Sequence, residues 1–450
     1  MEELIPNLRD ERVQGAVKNL LAYSLVILIV PLSSMFLLKQ YFFEAFLGHT
    51  PNDSLTYSAV CAVVLVHVQD PHDEPVHLGF PVSLPPNELF RLRSQFLPLG
   101  KVGGKPSWLN PKALPHSNTL ICKVCEKPMC FLIQVYASGP NEPEHSFHRS
   151  LFVFVCRNPK CSKPNDASNM AVFRCSLPRK NEFYSFDGPM DPDLDGDVPD
   201  PRLPPDGPKL CSLCGCSATK KCAKCQNTWY CSRDHQVVDW ASHKTCCGVF
   251  PDESAEQPEP SNPANPFVFK EFGIELDQEY LNSDMFEELS DDEDDEDEDC
   301  VDDETDEDRK RRMDEFKKFA KQNESNANMT KEDLEAATEE QKRDGEFEKF
   351  NRLVSLNPEQ IIRYKRFGEP LPATCQSPLP DPESVPPCEN CSGPRRFEMQ
   401  LMPHLLSIIE VDAIGQSIDW ASVFIYTCSQ SCEVPESGYA KEFLAKQDFS

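Results

Sequence analysis

The sequence has 450 residues, a net charge of −29 and 21 cysteines. Its length suggests roughly two to four domains, and its 41 prolines point to long linkers. Such an acidic chain is a poor match for nucleic-acid phosphates. Cysteines grouped in short pairs with interspersed histidines read as zinc ligands in a reducing compartment, not as a secreted disulfide framework.

Residues 20–38 carry no charge and lie between Lys18 and Lys39. At 1.5 Å per residue the run reaches about 28 Å, against roughly 30 Å for a bilayer core. It is therefore expected to be a membrane helix kinked at Pro31. A cleaved signal peptide is the competing reading, but no small-residue cleavage site follows. A second apolar run, residues 55–68, is short for a span. Pro31, the Tyr41-Phe42-Phe43-Glu44 exit and the Ser58-Ala59-Val60 start of the second run resemble the V-ATPase assembly integral membrane protein family. That likeness implies a two-helix chaperone of the endoplasmic reticulum, inserting through residues 20–38 and 55–68. It stops at Val68, so the simplest reading is a chimera: the front of one protein joined to most of another.

Residues 70–120 are proline-rich and weakly hydrophobic. Gly103-Gly104 marks a turn. A phosphate-cradling loop would need a preceding strand and a Gly-Lys-Ser/Thr sequence, so a structural turn with Trp108 buried is expected instead. A pattern then occurs twice. Cys122-x2-Cys125 is followed by Pro128, Phe131 and Gln134; Cys388-x2-Cys391 is followed at the same offsets by Pro394, Phe397 and Gln400. Each copy continues into a β-branched and aromatic run, 150–156 and 422–428, that ends in a second knuckle. We read an internal duplication of a zinc-ribbon-like unit: knuckle, strand, return strand, knuckle. Cys122, Cys125, Cys156 and Cys161 would form one metal site, and Cys388, Cys391, Cys428 and Cys432 another. Reduced cysteines in a metal-free β core are the alternative at each. His145 and His148 read as surface or strand residues. Neither copy shows more than two strands, and an isolated hairpin is marginal in water, so the copies are expected to pair into one core.

Between the copies, Cys211, Cys214, Cys222, Cys225, Cys231, His235, His243 and Cys247 supply eight soft or borderline ligands. Eight ligands make two closed tetrahedral shells without an open position, so the zinc is expected to be structural and to supply most of the folding energy. Cys216 and Cys246 are spare, and Cys246 could replace Cys247. The segment resembles the MYND zinc fingers, with His235 standing where most of them have cysteine. The resemblance implies interleaved shells: Cys211, Cys214, Cys231 and His235 on one zinc; Cys222, Cys225, His243 and Cys247 on the other. It also implies binding of corepressor peptides. Lys220, Lys221, Lys224, Arg233 and Lys244 beside Trp229 and Tyr230 leave nucleic-acid binding as the alternative use of the finger.

Residues 291–308 hold 15 acidic side chains in 18. Such a run repels itself and stays disordered. It can steer a basic protein client or simply solubilise. Residues 309–350, with Phe316, Phe319, Leu334, Phe347 and Phe350, suggest loose helices. From Val76 to Ser450 the chain resembles the programmed cell death protein 2 family. The residues concerned are Lys101-Val-Gly-Gly-Lys-Pro-Ser-Trp108, Phe147-His148-Arg149, the finger, Tyr364-Lys-Arg-Phe-Gly-Glu-Pro-Leu371, Ser417-Ile-Asp-Trp420 and Lys446-Gln-Asp-Phe449. That resemblance implies a chaperone for a basic small-subunit ribosomal protein, acting in ribosome biogenesis in cytoplasm and nucleus, with links to proliferation and apoptosis.

The expected fold class is α+β, mostly β. A membrane segment (1–69) precedes the first half of a β core (70–180), a linker (181–208) and the finger (209–248). A linker with the acidic run (249–345) and the second half of the core (346–450) follow. No Gly-x-Ser-x-Gly, P-loop or Gly-x-Gly-x-x-Gly follows a strand, and no metal keeps an open position, so no enzyme is expected. DNA binding is not expected either.

Overall fold

The computed structural model describes residues 75–195, 207–248, 265, 267–280, 344–411 and 417–449. The expected membrane spans, the acidic run and the loose helices before residue 344 lie outside these residues. Among the described residues no helix is long and apolar enough to cross a membrane.

The two ribbon copies share one sheet of 11 strands. In the first half, β2 (Gly100–Val102), β3 (Cys130–Tyr136), β4 (His148–Val155) and β5 (Met170–Leu177) run side by side. In the second, β9 (Ile362–Tyr364), β10 (Arg395–Leu401), β11 (Ser422–Cys428) and β13 (Phe443–Gln447) do the same. Between the halves lie β1 (His77–Val82) and β8 (Phe272–Gln278), antiparallel to each other. Residues 272–278 fall in the expected linker of 249–345, yet they form a central strand because β1 pairs with them. A short strand, β2, also leads into Gly103-Gly104, where none was expected.

The internal repeat extends to its irregularities. The β3–β4 ladder shifts register between Phe131 and Ile133, and the β10–β11 ladder between Phe397 and Met399, at the same point of the repeat. Gln134 bonds both backbone groups of Ser107, its Oε1 accepting at 2.8 Å. Gln400 does the same for Leu371, its Oε1 accepting at 3.0 Å. Each glutamine thereby satisfies a proline-flanked turn that no strand pairs, which explains its fixed place in both copies. The turn preceding Ser107 needs glycine. Gly103 has φ 62°, and a Cβ there would meet the Lys270 carbonyl oxygen at 2.1 Å.

The sheet all but closes on itself through one segment. β12 (Ala440–Lys441) pairs with β5 and β13 pairs with β11, and only Glu442 separates them. The Glu442 N–H still donates to the Val172 carbonyl. Leu151, Val153 and Val155 turn to a core shared with Met399, Leu401, Val423 and Ile425 of the other half. Phe152 and Phe154 turn the opposite way, onto Trp108 and the finger. Burial on both faces accounts for the unbroken apolar run of β4.

Candidate metal centres

Four clusters of donor atoms form among the described residues. Cys122, Cys125, Cys156 and Cys161 meet beside the first ribbon, and Cys388, Cys391, Cys428 and Cys432 beside the second. In the finger, Cys211, Cys214, Cys231 and His235 form one group and Cys222, Cys225, His243 and Cys247 the other. Within each cluster every donor atom lies within 4.8 Å of the others.

The spacings fit a metal and not disulfides. Zn–S bonds of about 2.3 Å in a tetrahedron put sulfurs about 3.8 Å apart, and sulfur and imidazole nitrogen about 3.6 Å apart. The Sγ–Sγ separations are 3.6 Å for Cys125–Cys156, 3.8 Å for Cys214–Cys231, 3.9 Å for Cys222–Cys247 and 3.5 Å for Cys391–Cys428. His235 Nδ1 lies 3.6 Å from Cys211 Sγ, and His243 Nε2 lies 3.5 Å from Cys225 Sγ. All the described cysteines are free of disulfides.

Local backbone explains how each knuckle aims two sulfurs at one point. The residue after the second cysteine is left-handed in all four: Glu126 (φ 58°), Gly215 (φ 70°), Gln226 (φ 61°) and Ser392 (φ 60°). Its N–H donates back to the carbonyl of the first cysteine, at 2.9–3.0 Å in each knuckle. Three of the four adopt this conformation with a side chain, at a cost of order 1–3 kcal/mol each, which a bound metal offsets.

The finger's second cysteine pair and both histidines ride on one hairpin and one helix. β6 (Lys220–Lys221) pairs with β7 (Trp229–Tyr230), and α1 (Arg233–Cys246) follows. Ser232 caps α1 by accepting the His235 N–H at 3.1 Å. His235 and His243, two turns apart, serve different clusters. His243 is oriented by the Thr228 hydroxyl, 3.4 Å from its Nδ1, the kind of outer partner that metal-bound histidines use. Among the described residues His235 Nε2 is buried without a hydrogen-bond partner, its ring 4.3 Å from that of Phe267. Desolvation raises the Cys225 thiol, but the N–H groups of Asn227 and Thr228 outweigh it and bring it down to about 6. Burial instead pushes Cys130 and Cys175, which belong to no cluster, up to about 12. Cys216 is buried outside the clusters, and Cys246 faces solvent while Cys247 turns inward.

Several residues matter to these sites without any spacing that marks them. Trp108 of the β core donates its indole N–H to Gly215 O at 2.8 Å, pinning the finger's first knuckle. Tyr230 and Asp239, both buried, join β7 to α1 at 2.7 Å. At the second ribbon, Arg174 of β5 donates to Cys432 O at 3.0 Å, and Glu442 accepts the Cys428 N–H at 3.1 Å. His145 Nε2 lies 2.7 Å from the Ser431 carbonyl, so the first half of the chain also braces this knuckle. His148 is buried in β4, its Nδ1 2.9 Å from the Tyr136 hydroxyl. Arg149 and Glu398 face each other fully buried across the two halves. Burial raises Glu398, but Arg149 and its hydrogen bonds hold it down at about 2. Glu398 stands at the repeat position of Leu132, so a charge in an apolar slot was the one signal in the sequence.

Sheet, knuckles and docked finger define a zinc-binding protein of mostly β architecture, with zinc as its cofactor. Residues 75–191 match the Programmed cell death protein 2, N-terminal domain, and residues 344–448 its C-terminal putative domain. The MYND finger matches residues 211–247 and the VMA21-like domain residues 15–68. The chain belongs to the programmed cell death protein 2 family: it is 36% identical to Programmed cell death protein 2 of Bos taurus over 380 residues, 84% of this chain and 97% of that protein. Its front is 74% identical over 68 residues to the Vacuolar ATPase assembly integral membrane protein VMA21 homolog of Caenorhabditis elegans, 15% of this chain and 67% of that protein. A shorter match, 38% over 114 residues, links it to the Probable 20S rRNA accumulation protein 4 of Schizosaccharomyces pombe, covering 22% of this chain and 28% of the relative. No solved structure matches.

Proposed function

We propose that the chain is a zinc-stabilised chaperone and adaptor, not an enzyme, for a basic protein of the small ribosomal subunit, acting in 40S ribosome biogenesis. The likeness to a relative named for 20S rRNA accumulation carries this reading. The run with 15 acidic side chains in residues 291–308 supports it, since such a tract attracts and shields a basic client. Each four-residue cluster holds one zinc, two in the finger and one at each ribbon. Closed shells leave no position for a reacting water, so the metal serves structure.

A second reading is a corepressor adaptor in proliferation and apoptosis. Val237 and Trp240, 64% and 43% exposed, favour it, because they present an apolar strip on α1 for a peptide. The working form keeps its zinc-bearing residues in cytosol or nucleus. Where residues 1–69 are retained they tether it to the endoplasmic reticulum membrane, and V-ATPase assembly activity would then belong to that segment.

Affinity purification of the tagged full chain, followed by proteomics, tests these readings. One basic small-subunit ribosomal protein should be enriched. Enrichment of corepressors without it would favour the adaptor reading, and V-ATPase membrane subunits alone would move the activity to the front segment.

A further inference from the structure

Among the described residues, strand β8 has a partner on only one side for most of its length. β1 pairs with residues 273–278 of β8, whereas β2 pairs with Phe272 and Gly273 alone. The Glu279 N–H donates to Val76 O at 2.8 Å, which fixes the alternation of the ladder. Gly273, Glu275 and Asp277 turn their backbone groups to β1, and Ile274, Leu276 and Gln278 turn theirs away from it. The chain ahead of β2 would extend the ladder past Gly273, but Pro98 and the left-handed Leu97 (φ 44°) swing it aside. The Gln278 N–H is taken by Asp277 Oδ1 at 2.8 Å. Among the described hydrogen bonds, none takes the outward N–H or C=O of Leu276.

The flanks of this gap are apolar and acidic. Gly100 lies against Ile274 at the head of the gap, and the neighbouring Leu99 is 51% exposed. Glu275 and Asp277 are exposed on one face, and Tyr280, just past the strand, is exposed too. Open edges are usually blunted with lysine or proline. This one carries carboxylates, in a chain whose net charge is −29. A second copy of so acidic a chain is repelled, whereas an extended segment rich in lysine and arginine is drawn in.

We infer that the edge of β8 past Ile274, over residues 275–278, docks an extended basic segment of a partner, which joins the sheet as an added strand. Main-chain bonds to Leu276 give affinity, and basic side chains opposite Glu275 and Asp277 give selectivity. Apolar residues at alternate positions fall beside Leu276 and Leu99. The surface is a binding edge for the client of the proposed function, and only the identity of that client rests on that reading.

Anisotropy of a labelled decapeptide of alternating lysine and valine, titrated with the full zinc-loaded chain, tests the edge. Leu276→Pro removes the outward N–H while sparing the bonds of Glu275 and Asp277 to β1, and proline is tolerated at such edges. It should weaken binding at least tenfold with zinc content unchanged. Glu275→Lys with Asp277→Lys should do the same and flatten the salt dependence. A decapeptide N-methylated at alternate residues keeps every charge and loses backbone donors, so it tests the idea on the unaltered protein. If it binds as tightly as its parent, attraction is charge alone and the edge is not a docking site. A concentration-dependent dimer abolished by Leu276→Pro would equally overturn the proposal. Capture of the small-subunit protein undiminished by Leu276→Pro would sink the edge and leave the chaperone reading standing. Peptide effects as expected, without any ribosomal client, would sink that reading and leave the edge.

Discussion

Replacing Glu442 with glutamine should loosen the seam of the sheet. Its carboxylate is fully buried and accepts from Arg174 Nε at 2.8 Å, Arg395 Nε at 2.9 Å and the Cys428 N–H at 3.1 Å. Glutamine keeps the shape, removes the charge and turns an amide N–H toward one guanidinium. Arg174 retains Ser176 Oγ and Cys432 O, and Arg395 retains the carbonyls of Pro386, Pro387 and Lys441. Both cations therefore keep hydrogen bonds and lose their counter-charge. Breaking a buried pair costs about 3–5 kcal/mol, and the surviving carbonyls argue for the lower end. Against a total stability of about 5–15 kcal/mol, that is a large fraction. With a urea slope of about 3 kcal/mol per molar for a chain of this size, the midpoint should fall by about 1 M in the zinc-loaded protein. Glu436→Gln, at an exposed position, should stay within about 0.5 kcal/mol. Because Glu442 separates β12 from β13, amide exchange should rise in β5 and β11 together. A midpoint shift no larger than that of the Glu436 control, at equal slope, would refute the clasp.

Metal analysis of the full chain should give four zincs, falling to three for Cys391→Ser with the finger intact. Cys231→Ala should lose its own zinc and weaken the second, because α1 carries a histidine of each cluster; full retention of the second zinc's affinity would count against interleaving. Trp108→Ala should cost about 3–5 kcal/mol and free the finger for proteolysis, and unchanged cleavage would mean that the finger does not depend on this anchor. A glycosylation reporter at the C-terminus should stay unmodified. A modified reporter on protein that still binds its client would put the working residues on the wrong side of the membrane.

What could be read in advance was what is local. A knuckle is fixed by two cysteines and one left-handed residue, so Cys122, Cys211, Cys222 and Cys388 announced themselves by spacing. Phe131 with Phe397 and Gln134 with Gln400 exposed the repeat because each pair meets the same need in its own half. The missing strands depend on distant partners. β8 sits between proline-rich and acidic sequence, and only pairing with β1 makes it a strand. β1 and β2 are short and lie in a proline-rich stretch for the same reason. Trp108 was expected to be buried, but that it anchors the finger follows only from a contact across 107 positions of the chain.

The buried charges show why a repeat does not give two equal halves. Two independent copies would each satisfy their own interior. Here Arg149 of β4 answers Glu398 of β10, and Glu442 holds Arg174 of β5 and Arg395 of β10 at once. Among the described residues the ion pairs of Arg149 and Arg174 both reach into the other half, whereas Arg395 pairs with Glu442 in its own half and shares that carboxylate, and Glu398 also feels Arg366 of its own half. An isolated first half would leave Arg149 and Arg174 without the carboxylates that answer them, and a buried charge stripped of its partner costs several kcal/mol. The halves therefore fold as a pair. The second ribbon's knuckle is held partly by Arg174 and His145 from the first half, so a metal bound there would be coupled to the pairing of the two halves.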